Sequence, residues 1–119
     1  MRVGIDLIEI DRVARALVRH PRFIERVFTA AEREYCLSRA NPPQHFAARF
    51  AGKEAVGKAL GFGVPFTWRE IEIVGRPKPG VSLSGRTEAW AARVSAGGID
   101  LSMTHSKGMA AAVAIVHDA

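Results

Sequence analysis

The chain has 119 residues, 48% of them hydrophobic, which predicts one domain over residues 1–119, built around one core. A single cysteine excludes a disulfide framework or a cysteine zinc site within the chain, and no apolar run nears the roughly 18 residues of a transmembrane helix. The formal net charge of +5 favours an anionic partner, without choosing among nucleic acid, a phosphate-rich cofactor and an acidic protein.

The start, MRVGIDLIEIDRV, carries Asp6, Glu9 and Asp11 and so does not read as a signal peptide; the expectation is a cytoplasmic protein. Residues 2–10 predict a strand, with Val3, Ile5 and Leu7 on one face and Gly4, Asp6, Ile8 and Ile10 on the other. Both faces are apolar, so burial on both sides is expected. Asp6 then needs a cation or hydrogen-bond donors, because a bare buried carboxylate is costly. Asp11 is expected to cap a helix over residues 12–19. Pro21 punctuates the chain, and HPRFIERVF predicts a short helical or turn segment with Arg22 and Arg26 exposed. Thr29 and Glu32 form a T-x-x-E capping box that opens a helix over residues 30–39, where Cys36 reads as a packing residue.

NPP at 41–43 leads into a long helix over about residues 43–60, ended by Gly61 and Gly63. At 100° per residue, Ala47, Ala51, Glu54 and Lys58 share one narrow arc, flanked by Phe46 and Phe50 on one side and Ala55 on the other. A small-residue stripe of this kind faces a sheet. Arg49 and Lys53 point elsewhere and predict a solvated basic face. The plain reading of Glu54 and Lys58 is a surface i,i+4 pair worth about 0.3–0.5 kcal/mol. Asp6 offers another reading: two carboxylates on two buried faces meet only around a cation, and an oxygen donor set suits Mg²⁺ at a phosphoryl-transfer site.

The second half changes character. WREIEIVGR predicts a strand with Ile71 and Ile73 on one face, Pro77, Pro79 and Gly80 a turn, and VSLS a short strand. GRTEAWAARVSA predicts a helix closed by Gly97 and Gly98. Its start, with Ser84, Gly85 and Arg86, offers either an anion site or a plain Ser84 N-cap. IDLSMTHS and GMAAAVAIVH predict two strands joined tightly through Ser106, Lys107 and Gly108. The fold class is therefore α+β, with a mainly antiparallel sheet packed on the long central helix.

Gly4-Ile5-Asp6, followed by Phe50-x-x-Lys53-Glu54-Ala55-x-x-Lys58, resembles the two-part signature of 4′-phosphopantetheinyl transferases. The ending SMTHSKGMAAAVAIV and the small size resemble the bacterial holo-acyl-carrier-protein synthase branch, and the resemblance spans essentially the whole chain. It implies the fold of that family and transfer of phosphopantetheine from coenzyme A to a serine of an acyl carrier protein, releasing adenosine 3′,5′-bisphosphate, in support of fatty acid biosynthesis. It implies that Asp6 and Glu54 bind Mg²⁺, that Lys58 contacts phosphate and assists catalysis with Glu54, and that His105 lies by the nucleotide. A metal-bound water, Glu54 or Lys58 could each take the serine proton. With coenzyme A in view, Arg49 becomes a candidate for the 3′-phosphate and Arg86 for a further anion contact. The basic helix that carries Arg12, Arg15, Arg19, Arg22 and Arg26 matches an acidic carrier, with Arg12 and Arg22 as salt-bridge formers and Phe23 as an apolar contact. The resemblance also implies a homotrimer with active sites between subunits. His20, His45 and His117 read as surface or structural. The rival from composition is a small basic nucleic-acid-binding module, which leaves the buried-face carboxylates unexplained.

Overall fold

The computed structural model describes residues 1–61, 67–75 and 78–119; Gly63, Arg76 and Pro77, assigned above to a helix end, a strand end and a turn, lie outside them. Strand β1 (Arg2–Glu9) leads into helices α1 (Ile10–Arg19), α2 (Pro21–Val27), α3 (Ala30–Leu37) and the long α4 (Pro42–Leu60). A 3₁₀ turn at Trp68–Glu70 precedes β2 (Ile71–Val74) and β3 (Gly80–Leu83), and α5 (Gly85–Arg93) leads to β4 (Ala96–His105) and β5 (Met109–Asp118). All pairings are antiparallel: β5 lies between β1 and β4 in a three-stranded sheet, and β2 pairs with β3. The α+β class and the hairpin at Ser106–Gly108, closed by Ser106 N–H donating to Met109 C=O at 2.9 Å, match the expectation.

Helix α4 is the axis of the fold. Its C-terminal half packs with β2, β4, β5 and α5 around Val56, Leu60, Ile71 and Val116. Its N-terminal half packs with α1, α2 and α3 around Phe28, Cys36 and Phe46. Apolar, small and even charged side chains are buried around its whole circumference, Arg49 and Lys53 included. The solvated basic face expected there does not exist, because α3 and β2 close over that side. Cys36 is buried, which pushes its thiol up to about 12 and makes it a packing residue.

Strand β1 corrects a second expectation. Its Gly4–Asp6–Ile8 face meets α4, but Val3, Ile5 and Leu7 are 64–67% exposed. Opposite them on β5 stand Ile115, Val113 and Ala111. The chain covers one face of this sheet and leaves an apolar face open.

The remaining corrections are local. Asp11 is not an N-cap: α1 starts at Ile10, and Asp11 sits inside the first turn, where a carboxylate favours the positive end of the helix dipole. The strand expected from residue 68 starts at Ile71, because Trp68–Glu70 turn to stack Trp68 on Phe50. Gly97 and Gly98 do not close α5; they belong to β4, at a bulge between Ala96 and Ile99. The capping box of α3 is formed in full, with Thr29 N–H donating to Glu32 Oε1 and Glu32 N–H to Thr29 Oγ1.

Candidate active site

Gly4 sets the geometry. A Cβ built on it would lie 1.9 Å from the Ala55 carbonyl oxygen, so only glycine lets β1 approach the α4 backbone this closely. Two residues on, Asp6 shares the face of Gly4 and stands beside the Glu54–Lys58 side of α4. Lys58 does not pair with Glu54. Its ammonium donates to the Ile5 carbonyl at 3.0 Å and to Asp6 Oδ1 at 3.2 Å. The plain i,i+4 surface pair is therefore not formed. Lys58 is 53% exposed and Asp6 16%.

Glu54 is half-buried and makes no hydrogen bond or ion pair among the described residues. Burial pushes its carboxyl above the usual range, the Asp6 charge pushes it further, and Lys58 opposes both. Two carboxylates and one exposed ammonium thus share a site in which negative charge is under-compensated. The donors that meet here are hard oxygens, the set that suits a small divalent cation retaining waters. Among the described residues no group of three or more His, Cys, Asp or Glu side chains gathers to hold a metal, at this site or elsewhere; the site offers two carboxylates.

Asp6 and Glu54 line a cleft of about 490 Å³ between β1, α1 and α4. Arg12, Arg15, Arg19 and His20 line it from α1 and its end, and Phe23 and Phe50 form an apolar wall. Phe50 stacks on Trp68 at 4.9 Å and meets Phe23 at 5.9 Å. A second groove joins Arg19, Arg22, Phe23 and Arg26. The fold therefore brings Arg12 and Phe23 to the carboxylates and places Arg22 next door. Arg15 and Arg19, read from sequence only as part of a basic helix that matches an acidic carrier, and His20, read as surface or structural, belong to the cleft. Arg12, Arg15 and Arg19 recur at helical spacing on one side of α1, a signal that could have found them.

Other expected site residues lie away from this cluster. Arg49 is 7% exposed, its guanidinium 3.9 Å from the centre of the Tyr35 ring, and its buried Nε has no hydrogen-bond partner among the described residues. His105 sits at the end of β4, its Nε2 2.9 Å from Gln44 Nε2 in the first turns of α4. Gln44 and Glu54 are ten residues apart, about 15 Å along the helix. Arg86 opens α5 beside the 3₁₀ turn, in a groove lined by Thr67, Glu70, Trp90 and Arg93, and does not line the Asp6–Glu54 cleft. The anion position at the start of α5 is filled from within. Glu70 accepts Arg86 N–H at 3.2 Å, Thr87 N–H at 3.1 Å and the Thr87 hydroxyl at 2.9 Å, and Ser84 makes no side-chain cap.

Sequence reasoning missed the Lys53–Glu32 pair entirely. Both side chains are 0% exposed, with Lys53 Nζ 2.7 Å from Glu32 Oε1. Burial pushes the Lys53 ammonium down, and Glu32 pulls it back.

Comparison with known proteins places this geometry. Residues 2–114 match the 4′-phosphopantetheinyl transferase superfamily. A holo-[acyl-carrier-protein] synthase of Moorella thermoacetica is 48% identical, the match covering 98% of this chain and 93% of that protein. Among solved structures, the Helicobacter pylori holo-[acyl-carrier-protein] synthase in complex with coenzyme A is similar with a TM-score of 0.84 and 28% identity, over 97% of this chain and 99% of that one. The Neisseria meningitidis holo-[acyl-carrier-protein] synthase shares the fold with a TM-score of 0.88 over 98% of both chains, at 24% identity.

Proposed function

The chain belongs to the 4′-phosphopantetheinyl transferase superfamily, and on that premise we propose that it transfers 4′-phosphopantetheine from coenzyme A to a serine of an apo-acyl carrier protein. The serine oxygen bonds to the β-phosphorus, the bond to the bridging pyrophosphate oxygen breaks, and adenosine 3′,5′-bisphosphate leaves. The observation that carries the reading is the meeting of Asp6 and Glu54 in one arginine-lined cleft, with Lys58 paired to Asp6 beside it. Mg²⁺ held by Asp6 and Glu54 would neutralise the pyrophosphate charge. Lys58, the exposed ammonium beside both carboxylates, is the group that reaches a phosphate oxygen. The candidates for the serine proton are those the sequence left open: Glu54, a metal-bound water, or Lys58 as its neutral amine. A nucleic-acid-binding reading leaves these carboxylates without a task.

Arg12, Arg22 and Phe23 present cations around an apolar contact, a surface for the acidic carrier. Arg49, Arg86 and His105 are the nucleotide-side residues of this reading. In one chain neither His105, which meets Gln44, nor Arg86, which is held beside Glu70, lines the Asp6–Glu54 cleft, and in this reading a second copy of the chain supplies the nucleotide-side contacts. The open apolar face of Val3, Ile5 and Leu7 supports the same assembly, a homotrimer with sites between subunits. Among the described residues no helix is long and apolar enough to cross a membrane; the proposed setting is the cytoplasm, in fatty acid biosynthesis.

The test is the intact mass of apo-acyl carrier protein after incubation with the chain and coenzyme A, with Mg²⁺ or with EDTA. A phosphopantetheine mass gain that needs the metal is expected. No gain across several carrier proteins would sink the reading.

A further inference from the structure

We propose that the buried Lys53–Glu32 pair is a positioning element that holds Glu54 and the aromatic wall of the cleft in place, and that Lys53 is not a phosphate ligand. The proposal rests on the transferase reading and concerns the same site. An ammonium has three N–H groups. Those of Lys53 meet Glu32 Oε1, the Trp68 carbonyl and the Ile71 carbonyl, and the side chain is fully buried, so no donor is left for a substrate. Glu32 is equally complete: it accepts Thr29 N–H at the start of α3 and Ile73 N–H at 2.8 Å on β2. Three bonds of Lys53 therefore fix one side of α4 to α3, to the 3₁₀ turn and to β2, and two more hold Glu32 in place on α3 and β2.

Apolar packing would hold these elements together at less desolvation cost. What the pair adds is direction, because the three bonds of Lys53 are met together at one rotation of α4 about its axis. Glu54 is the next residue, about 100° around the helix, so the rotation that seats Lys53 aims Glu54 at Asp6. The second consequence runs through Trp68. Its carbonyl is held by Lys53 and its ring stacks on Phe50, which lines the cleft beside Phe23.

The experiment compares the full chain with Lys53→Met and Glu32→Gln, at about 15 °C where stability is near its maximum. Circular dichroism and denaturant titration report the folded fraction, electron paramagnetic resonance reports Mn²⁺ binding without substrate, and steady-state kinetics give kcat and the KM for coenzyme A. Folded Lys53→Met should bind Mn²⁺ about 10-fold more weakly and lose about 100-fold in kcat, with KM for coenzyme A unchanged. Glu32→Gln should lose less, in the same direction. Wild-type Mn²⁺ affinity and kcat in a folded variant would overturn the proposal. So would a raised KM with unchanged Mn²⁺ affinity, which makes Lys53 a substrate contact. Failure of both variants to fold would also overturn it, leaving a folding element alone. The Mn²⁺ comparison needs no carrier protein. A wild-type chain that transfers nothing therefore removes the transferase reading and leaves this result standing by itself.

Discussion

Lys53 and Lys58 leave the same helix five residues apart and end in opposite surroundings. Lys53 is fully buried, with an acceptor for each N–H; Lys58 is half-exposed and shares Asp6 with a second, unpaired carboxylate. The first cluster is complete within one chain. The second holds two acids against one exposed ammonium, and its charge is balanced only when something else arrives. Native proteins satisfy their buried polar groups, so the cluster left unsatisfied at a cleft is the one kept for a ligand.

The largest test of that contrast is stability. Lys53→Met strands the Glu32 charge in the core and should cost about 3–5 kcal/mol in urea unfolding. Lys58→Met removes an exposed partner and should cost less than about 1 kcal/mol. Equal costs would break the contrast. Activity should sharpen it from the other side. Glu54→Gln should lower transfer by about 100- to 1000-fold, the scale of one lost electrostatic contact to a transition state, with the circular dichroism spectrum unchanged. A clear loss of fold would instead make Glu54 a structural residue.

Gly4→Ala probes the seam between the two sides. Its Cβ meets the Ala55 carbonyl at 1.9 Å, so β1 must move away from α4. A stability loss of about 1–3 kcal/mol is expected, with a fall in Mn²⁺ affinity as Asp6 leaves Glu54. Retained affinity would separate Asp6 from the metal. Arg22→Glu acts farther out. It should raise the KM for carrier protein about 10-fold, roughly 1.4 kcal/mol, and leave coenzyme A binding alone. An unchanged carrier KM would remove the docking surface.

What was legible in the sequence follows the range of the interactions. The capping box at Thr29 and Glu32, the tight hairpin at Ser106–Gly108 and the α4 boundaries depend on neighbours in sequence, and each formed as read. Gly-x-Asp and Lys-Glu were legible as pieces, and Gly4 shows why the first is a glycine. The fate of Lys53 was not legible. A helical wheel assumes that one face meets water, but α4 is enclosed, and the partner that neutralises Lys53 lies 21 residues earlier. The same limit hid Glu70, which caps α5 from 16 residues away, and the open face of β1, since alternation cannot say whether a second layer exists. His105 was placed by resemblance, and in one chain it lies beyond the reach of Glu54.

The smallest expected effect tests the open side without any substrate. Burial and Asp6 hold the Glu54 carboxyl above its ordinary range, so the folded chain binds that proton more tightly than the unfolded chain. Ionised Glu54 is then a cost to folding. The cost is absent below the unfolded value, about 4.3, grows as pH rises through the folded value, and is constant above it. Glu54→Gln removes it. In metal-free buffer the variant should melt roughly 2 °C above wild type at pH 8 and level with it near pH 4. Adding Mn²⁺ should reverse the order at pH 8, because the cation stabilises only the chain that still carries both carboxylates. Equal melting throughout would mean that Lys58 alone balances Asp6 and Glu54, and the two sides of α4 would then differ in exposure but not in completeness.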